Sequence, residues 1–203
     1  NWMISASGMK TKKCKVIAAS VTGPAHLIKR QNCQDYCRYA VDGRNIVAAV
    51  ADGAGSAPFG KIGARLICDT IVDLLKNADF KSVKSMVKKA VEVARDKALR
   101  HRFNKSKSEK HLLDFSATLV GFVYRQGQGV FFHIGDGAAL ALKQDGRYIA
   151  SPPQNGNFRC ETFFYTMDDW KENLRFTNFS QAKAVFLMSD GVSGFAFDTD
   201  YLK

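Results

Sequence analysis

Five Asp-Gly pairs punctuate this chain, at Asp42, Asp52, Asp136, Asp145 and Asp190, and they constrain its fold more than any other feature. Asp-Gly between alternating hydrophobics is a strong hairpin signal, because glycine takes the positive φ of a tight turn without penalty. Asp145-Gly146 lies between polar residues, and both it and Asp42-Gly43 read as such turns. The other three differ: IVAAVADG, VFFHIGDG and VFLMSDG each run an apolar stretch straight into the aspartate. A carboxylate at the exposed end of a buried strand is held rigidly, and the glycine after it lets backbone or solvent approach closely.

Between these turns the pattern alternates as strands do. Residues 15 to 22 read as one strand and 36 to 51 as two joined at Asp42-Gly43; further strands are expected over 116–124, 129–134, 138–143 and 184–188. Two helices interrupt the list. Ile62, Leu66, Ile67, Ile71 and Leu74 follow helical spacing over 61–76, and Val83, Met86, Val87, Ala90, Val91, Ala94 and Ala98 do so in the next segment. Strands joined by short turns, with the helices grouped between them, predict an α+β fold of antiparallel sheets covered by helices. Residues 150 to 180 carry the least legible pattern.

A chain of 203 residues that is 46% hydrophobic suffices for one substantial core, so a single domain is expected over 15–203, after an N-terminal extension over 1–14. No run approaches the 18 apolar residues of a membrane span, and the opening lysines follow rather than precede weakly apolar residues, which reads as a soluble, cytoplasmic protein. Five cysteines without C-x-x-C spacing read as thiols. The net charge of +11 is concentrated: residues 81 to 110 hold 11 Lys or Arg against 3 Asp or Glu. These charges fall opposite the apolar stripe of the second helix, and along that stripe, residues 83 to 98, no aromatic residues are interleaved to stack on bases. The segment therefore reads as a solvated face, which ranks nucleic-acid binding low and leaves docking to an acidic or phosphorylated partner open.

Hard divalent ions such as Mg²⁺ and Mn²⁺ take oxygen ligands, so Asp52, Asp136 and Asp190 would make a metal site if they converged. The order of the motifs carries a resemblance. Arg30-Gln31-Asn32-Cys33-Gln34-Asp35, Asp52-Gly53-Ala54-Gly55-Ser56, Ser116-Ala117-Thr118, Gly135-Asp136-Gly137 and Ser189-Asp190-Gly191 follow one another as the motifs R-x-x-N-E-D, D-G-x-G-G, G-T-T, G-D-S-R and S-D-G do. The chain thus resembles the metal-dependent Ser/Thr protein phosphatases, the PPM or type 2C family, and within it a bacterial branch with C-Q-D and D-G-A-G-S motifs.

That resemblance implies two stacked antiparallel sheets flanked by helices, two core Mn²⁺ or Mg²⁺ ions and a third, weaker one. It also implies hydrolysis of phosphoserine or phosphothreonine by a metal-bridging water. Asp52 would bridge the two core ions, with Gly53 offering its carbonyl, Asp190 in the first ion's shell, Asp35 acting through water on the second, and Asp136 holding the third. Arg30 would grip the substrate phosphate, as a guanidinium can bind two of its oxygens. The implied partners are a phosphorylated protein and, as a further candidate, a Ser/Thr kinase or its targets.

Three departures stand against the pattern. Gln34 replaces an acidic residue, and Ala54 stands where some members carry a histidine proposed as general acid. The family's pattern also continues to a D-N or D-D motif after S-D-G, so the domain reads as C-terminally incomplete, unless Asp198 or Asp200 substitutes. A pseudophosphatase that binds phosphoprotein without turnover is the alternative these departures raise.

Overall fold

The computed structural model describes residues 5–11, 14–20, 33–104, 108–154 and 162–192. Ten strands and three helices are described: β1 (Ser5–Thr11), β2 (Cys14–Ser20), β3 (Tyr36–Asp42), β4 (Asn45–Ala51), α1 (Gly60–Leu75), α2 (Val83–Leu99), β5 (Leu119–Arg125), β6 (Gln128–Ile134), β7 (Ala138–Lys143), β8 (Tyr148–Ser151), α3 (Trp170–Asn173), β9 (Arg175–Ser180) and β10 (Ala182–Met188). A five-stranded antiparallel sheet runs β3-β4-β5-β6-β9, a three-stranded one runs β10-β7-β8, and β1 pairs with β2. This is the α+β architecture of stacked antiparallel sheets flanked by helices that the strand and helix pattern predicts.

The period-two side-chain alternation assigns the two faces of the large sheet. Val47, Ala49 and Ala51 of β4, Leu119 and Val123 of β5, and Val130, Phe132 and Ile134 of β6 join the core beneath the helices. Their alternating neighbours Ile46, Ala48, Val120, Phe122 and Phe131 instead pack with Ala139, Ala141 and Val185 of the smaller sheet. The central strands are buried on both sides, which is why their sequences read as nearly continuous apolar runs. Phe179 stacks on Phe131 with centroids 4.3 Å apart in the second core.

Helix α1 buries a stripe shifted by about one residue from the expected one. Ala64, Ile67, Cys68, Ile71, Val72 and Leu75 join the core with the sheet, while Ile62 and Leu66 turn aside to pack with Ala98, Leu112 and Phe115 in a third cluster. Each of the fully buried Ile67, Ile71 and Leu75 side chains contributes on the order of 1.5–3 kcal/mol by removal from water. In α2, Val83, Val87, Ala90, Val91, Ala94 and Ala98 are buried and Lys84, Lys88, Lys89 and Lys97 are exposed, so the basic face of this helix is solvated. Lys97 also reaches across to donate to the Thr70 hydroxyl at 2.9 Å.

The poorly legible stretch supplies two working parts. Strand β9 closes one edge of the large sheet. Residues 162–169 lie over the 116–118 segment, with the Tyr165 amide donating to the Ala117 carbonyl at 3.2 Å and Arg95 donating to the carbonyls of Tyr165 and Met167. Among the described residues no helix is long and apolar enough to cross a membrane.

Candidate active site

Strand register places the aspartates before any side chain is considered. Tyr36 pairs with Ala51, so Asp35, just before β3, and Asp52, just after β4, are side by side at one end of the large sheet. Met188 pairs with Ala138, so Asp190 and Asp136 stand together at an end of the small sheet. Packing of the two sheets brings both pairs to one place. Gly135 carries the chain between sheets at φ 107°, a left-handed conformation that favours glycine. A Cβ on Gly137 would sit 2.7 Å from the Met188 carbonyl oxygen, so glycine is also required for the close approach.

The Asp52-Gly53 turn is held from both flanks. On one side the Asp52 amide donates to the Thr118 hydroxyl at 3.0 Å, the Thr118 amide donates to the Asp52 carbonyl at 2.9 Å, and the Ala54 amide donates to the Ser116 carbonyl at 2.9 Å. The Ser116-Ala117-Thr118 motif is thus a brace for the turn. On the other side the Gly53 amide donates to the Gln34 carbonyl at 3.3 Å. A Cβ on Gly53 would collide with the Gly60 backbone at the start of α1, so the turn seats against that helix only because residue 53 is glycine.

Asp52 is in hydrogen-bonding contact with both Asp35 and Asp190. Burial, then the neighbouring charges of Asp35 and Asp190, push the Asp52 carboxyl up to about 9. Asp35 is also raised, first by burial and then by the charge of Asp190, against the lowering effect of hydrogen bonds with Asp52, Cys33 and Ser189. Asp136 is raised by burial and by Asp190, with an opposing bond from the Thr162 hydroxyl, which donates to Asp136 Oδ2 at 2.5 Å. Four of the acidic residues singled out in the sequence therefore interact in one cluster. Cys33 and Ser189 lie within the quoted motifs but were given no role there, and Thr162, in the illegible stretch, was not singled out. Arg30 lies outside the described residues, as do Asp198 and Asp200.

The donor set is oxygen only, which suits a hard divalent cation. The crowding that raises Asp52 is the charge imbalance such a cation would offset, so the residues fit one chemically. The carboxylates contact one another, and among the described residues no group of three or more His, Cys, Asp or Glu is placed so that it could hold a metal ion.

A family model described as protein phosphatase 2C matches residues 22–202, nearly the whole chain. The chain belongs to the protein phosphatase 2C family. No curated protein matches it in sequence. Among solved structures it is similar to RsbX in complex with magnesium, at 15% identity and a TM-score of 0.65, covering 94% of this chain and 79% of that one. It is likewise similar to the serine/threonine phosphatase Stp1 from Staphylococcus aureus, at 12% identity and a TM-score of 0.61, covering 99% and 81%. The catalytic domain of the serine/threonine protein phosphatase PstP in complex with two manganese ions aligns at 14% identity and a TM-score of 0.60, covering 100% and 82%. At these identities the likeness shows the protein phosphatase 2C fold.

Proposed function

We propose that this protein phosphatase 2C family member is a metal-dependent protein serine/threonine phosphatase. The observation that carries the reading is the convergence of Asp35, Asp52 and Asp190 from three separate strand ends. Asp52 and Asp190, the Gly53 carbonyl and Asp35 would hold two Mn²⁺ or Mg²⁺ ions, and Asp136 would hold a third. When bound, such ions supply Lewis acidity, lowering the pKa of water and offsetting the charge of the phosphoryl group.

The chain's own groups do the rest. Asp35 and Asp52, partly buried and fixed by strand register, orient what binds between them. Asp190 stands exposed at the mouth of the cluster, where an incoming phosphoester would arrive. Arg30 is proposed to bind the phosphate oxygens. With Ala54 in place of a histidine, a water molecule or another group protonates the leaving alkoxide.

The test is hydrolysis of phosphoserine and phosphothreonine peptides with Mn²⁺, with Mg²⁺ and with EDTA. Turnover that requires the ion and is lost in Asp52→Asn supports the proposal. Turnover undiminished by EDTA overturns the metal reading, whereas tight phosphopeptide binding without turnover in metal-loaded protein replaces it with the pseudophosphatase.

A further inference from the structure

Gln34 stands where the type 2C pattern has an acidic residue, and the sequence alone presents it as a missing charge. Its contacts show a different part. With its amide nitrogen toward the turn, Gln34 donates to the Gly53 carbonyl at 2.7 Å and to the Ala54 carbonyl at 2.9 Å. The opposite orientation would set its oxygen against two carbonyl oxygens, which repel. Its own backbone carbonyl accepts from the Gly53 amide at 3.3 Å, so one residue grips the turn by three bonds. The space is made for it: a Cβ on Gly60 would lie 2.8 Å from the end of the Gln34 side chain and 2.8 Å from the Ala54 carbonyl oxygen.

We infer that Gln34 is a positioning residue, a neutral fork that fixes the Gly53 and Ala54 carbonyls and thereby the shape of the Asp52-Gly53 turn. The part it plays in ion binding rests on the proposed function. Of the side chains close to Gln34 in shape, only a donor fits. A glutamate would present acceptors alone to two acceptors, and a methionine would present neither charge nor donor. Gln34 thus acts through its N–H groups rather than as a weakened acid. A carbonyl oxygen has two lone pairs, so Gly53 can accept from Gln34 and still face an ion.

Two variants separate the readings. Manganese chloride is titrated calorimetrically into wild type, Gln34→Met and the core variant Ile71→Val, which costs stability away from the site; melting is followed with and without Mn²⁺. Gln34→Met is expected to bind Mn²⁺ about tenfold more weakly, as losses of groups that orient ligands do, with Ile71→Val unchanged in affinity. Metal-free Gln34→Glu is expected to melt about 2–4 °C below wild type and to gain more than wild type from Mn²⁺, because a cation relieves the repulsion. Wild-type affinity in Gln34→Met, or a metal-free Gln34→Glu that melts at or above wild type, overturns the inference. If Gln34→Met does not fold, the Gln34→Glu melting comparison decides. Absence of Mn²⁺ binding by wild type overturns the metal reading instead, and the metal-free melting difference still decides the hydrogen-bonding role by itself.

Discussion

Asp52 and Thr118 exchange two hydrogen bonds, the Asp52 amide to the Thr118 hydroxyl at 3.0 Å and the Thr118 amide to the Asp52 carbonyl at 2.9 Å. The residue just before β5 thereby sets the backbone of the acidic turn. Thr118→Val keeps the shape but leaves the Asp52 amide without its acceptor, a loss of about 2 kcal/mol. For a domain of this size the melting temperature should fall by roughly 4–8 °C, while Thr118→Ser stays near wild type. Equal melting of the valine variant and wild type would show that the hydroxyl contributes nothing.

Asp52→Asn should behave differently with and without metal. Metal-free, burial first and the charges of Asp35 and Asp190 second raise Asp52 to about 9, so its carboxyl is already protonated near neutral pH and the neutral amide replaces it with melting close to wild type. With Mn²⁺ present the wild type should rise in melting temperature and the variant should not, since ligand-linked stabilisation vanishes with the site. A variant that rises as much as wild type would place the ion elsewhere.

His133 should impose a pH dependence far from the acidic cluster's chemistry. Burial first, and the Arg175 charge second, lower it from 6.5 to about 3, against a raising contact with the Gly135 backbone. Its Nδ1 lies 2.9 Å from the Ser151 hydroxyl and 3.1 Å from Arg175 Nη2. The unfolded chain takes up this proton near 6.5 and the folded one only near 3, so between these values the unfolded state binds more protons. The His133 contribution to stability is therefore full above about 6.5 and declines as pH falls toward 3, by at most ~1.4 kcal/mol per pH unit. Urea unfolding between pH 7.5 and 5 should show wild type losing stability relative to His133→Gln as pH falls; a stability difference that does not change with pH would refute this.

Gly63→Ala should destabilise, although alanine in a helix interior ordinarily stabilises by about 1 kcal/mol over glycine. A Cβ there would collide with the Phe115 carbonyl, and backbone cannot give as a flexible side chain can. Gly63 also accepts from the buried Tyr165 hydroxyl at 3.2 Å. The expected loss is about 1–3 kcal/mol, read from denaturant midpoints, and a midpoint above wild type would contradict the packing.

The sequence by itself determined the elements that have a period or a punctuation mark. Hairpins at Asp42-Gly43 and Asp145-Gly146 were legible because the turn residues take positive φ, at Gly43 and Gly146. The doubly buried strands β4, β5 and β6 were legible as apolar runs, and the solvated face of α2 as a segregated charge pattern. The three apolar-run Asp-Gly pairs named Asp52, Asp136 and Asp190, because a carboxylate at a buried strand's end is conspicuous along the chain, whereas Asp35 was reached only through the resemblance of its motif.

Only the tertiary structure decided how those parts meet. Register pairs Asp35 with Asp52 and Asp136 with Asp190, and the stacking of two sheets joins the pairs; neither relation has a local signature. Thr162 reaches Asp136 from a stretch without periodicity, since an irregular segment held by hydrogen bonds to its neighbours needs no repeating apolar face. Gln34 is the sharpest case. Along the chain it is an acid lost, whereas in space the atoms facing it are two carbonyl oxygens, and what faces a side chain determines whether a charge or a donor belongs there.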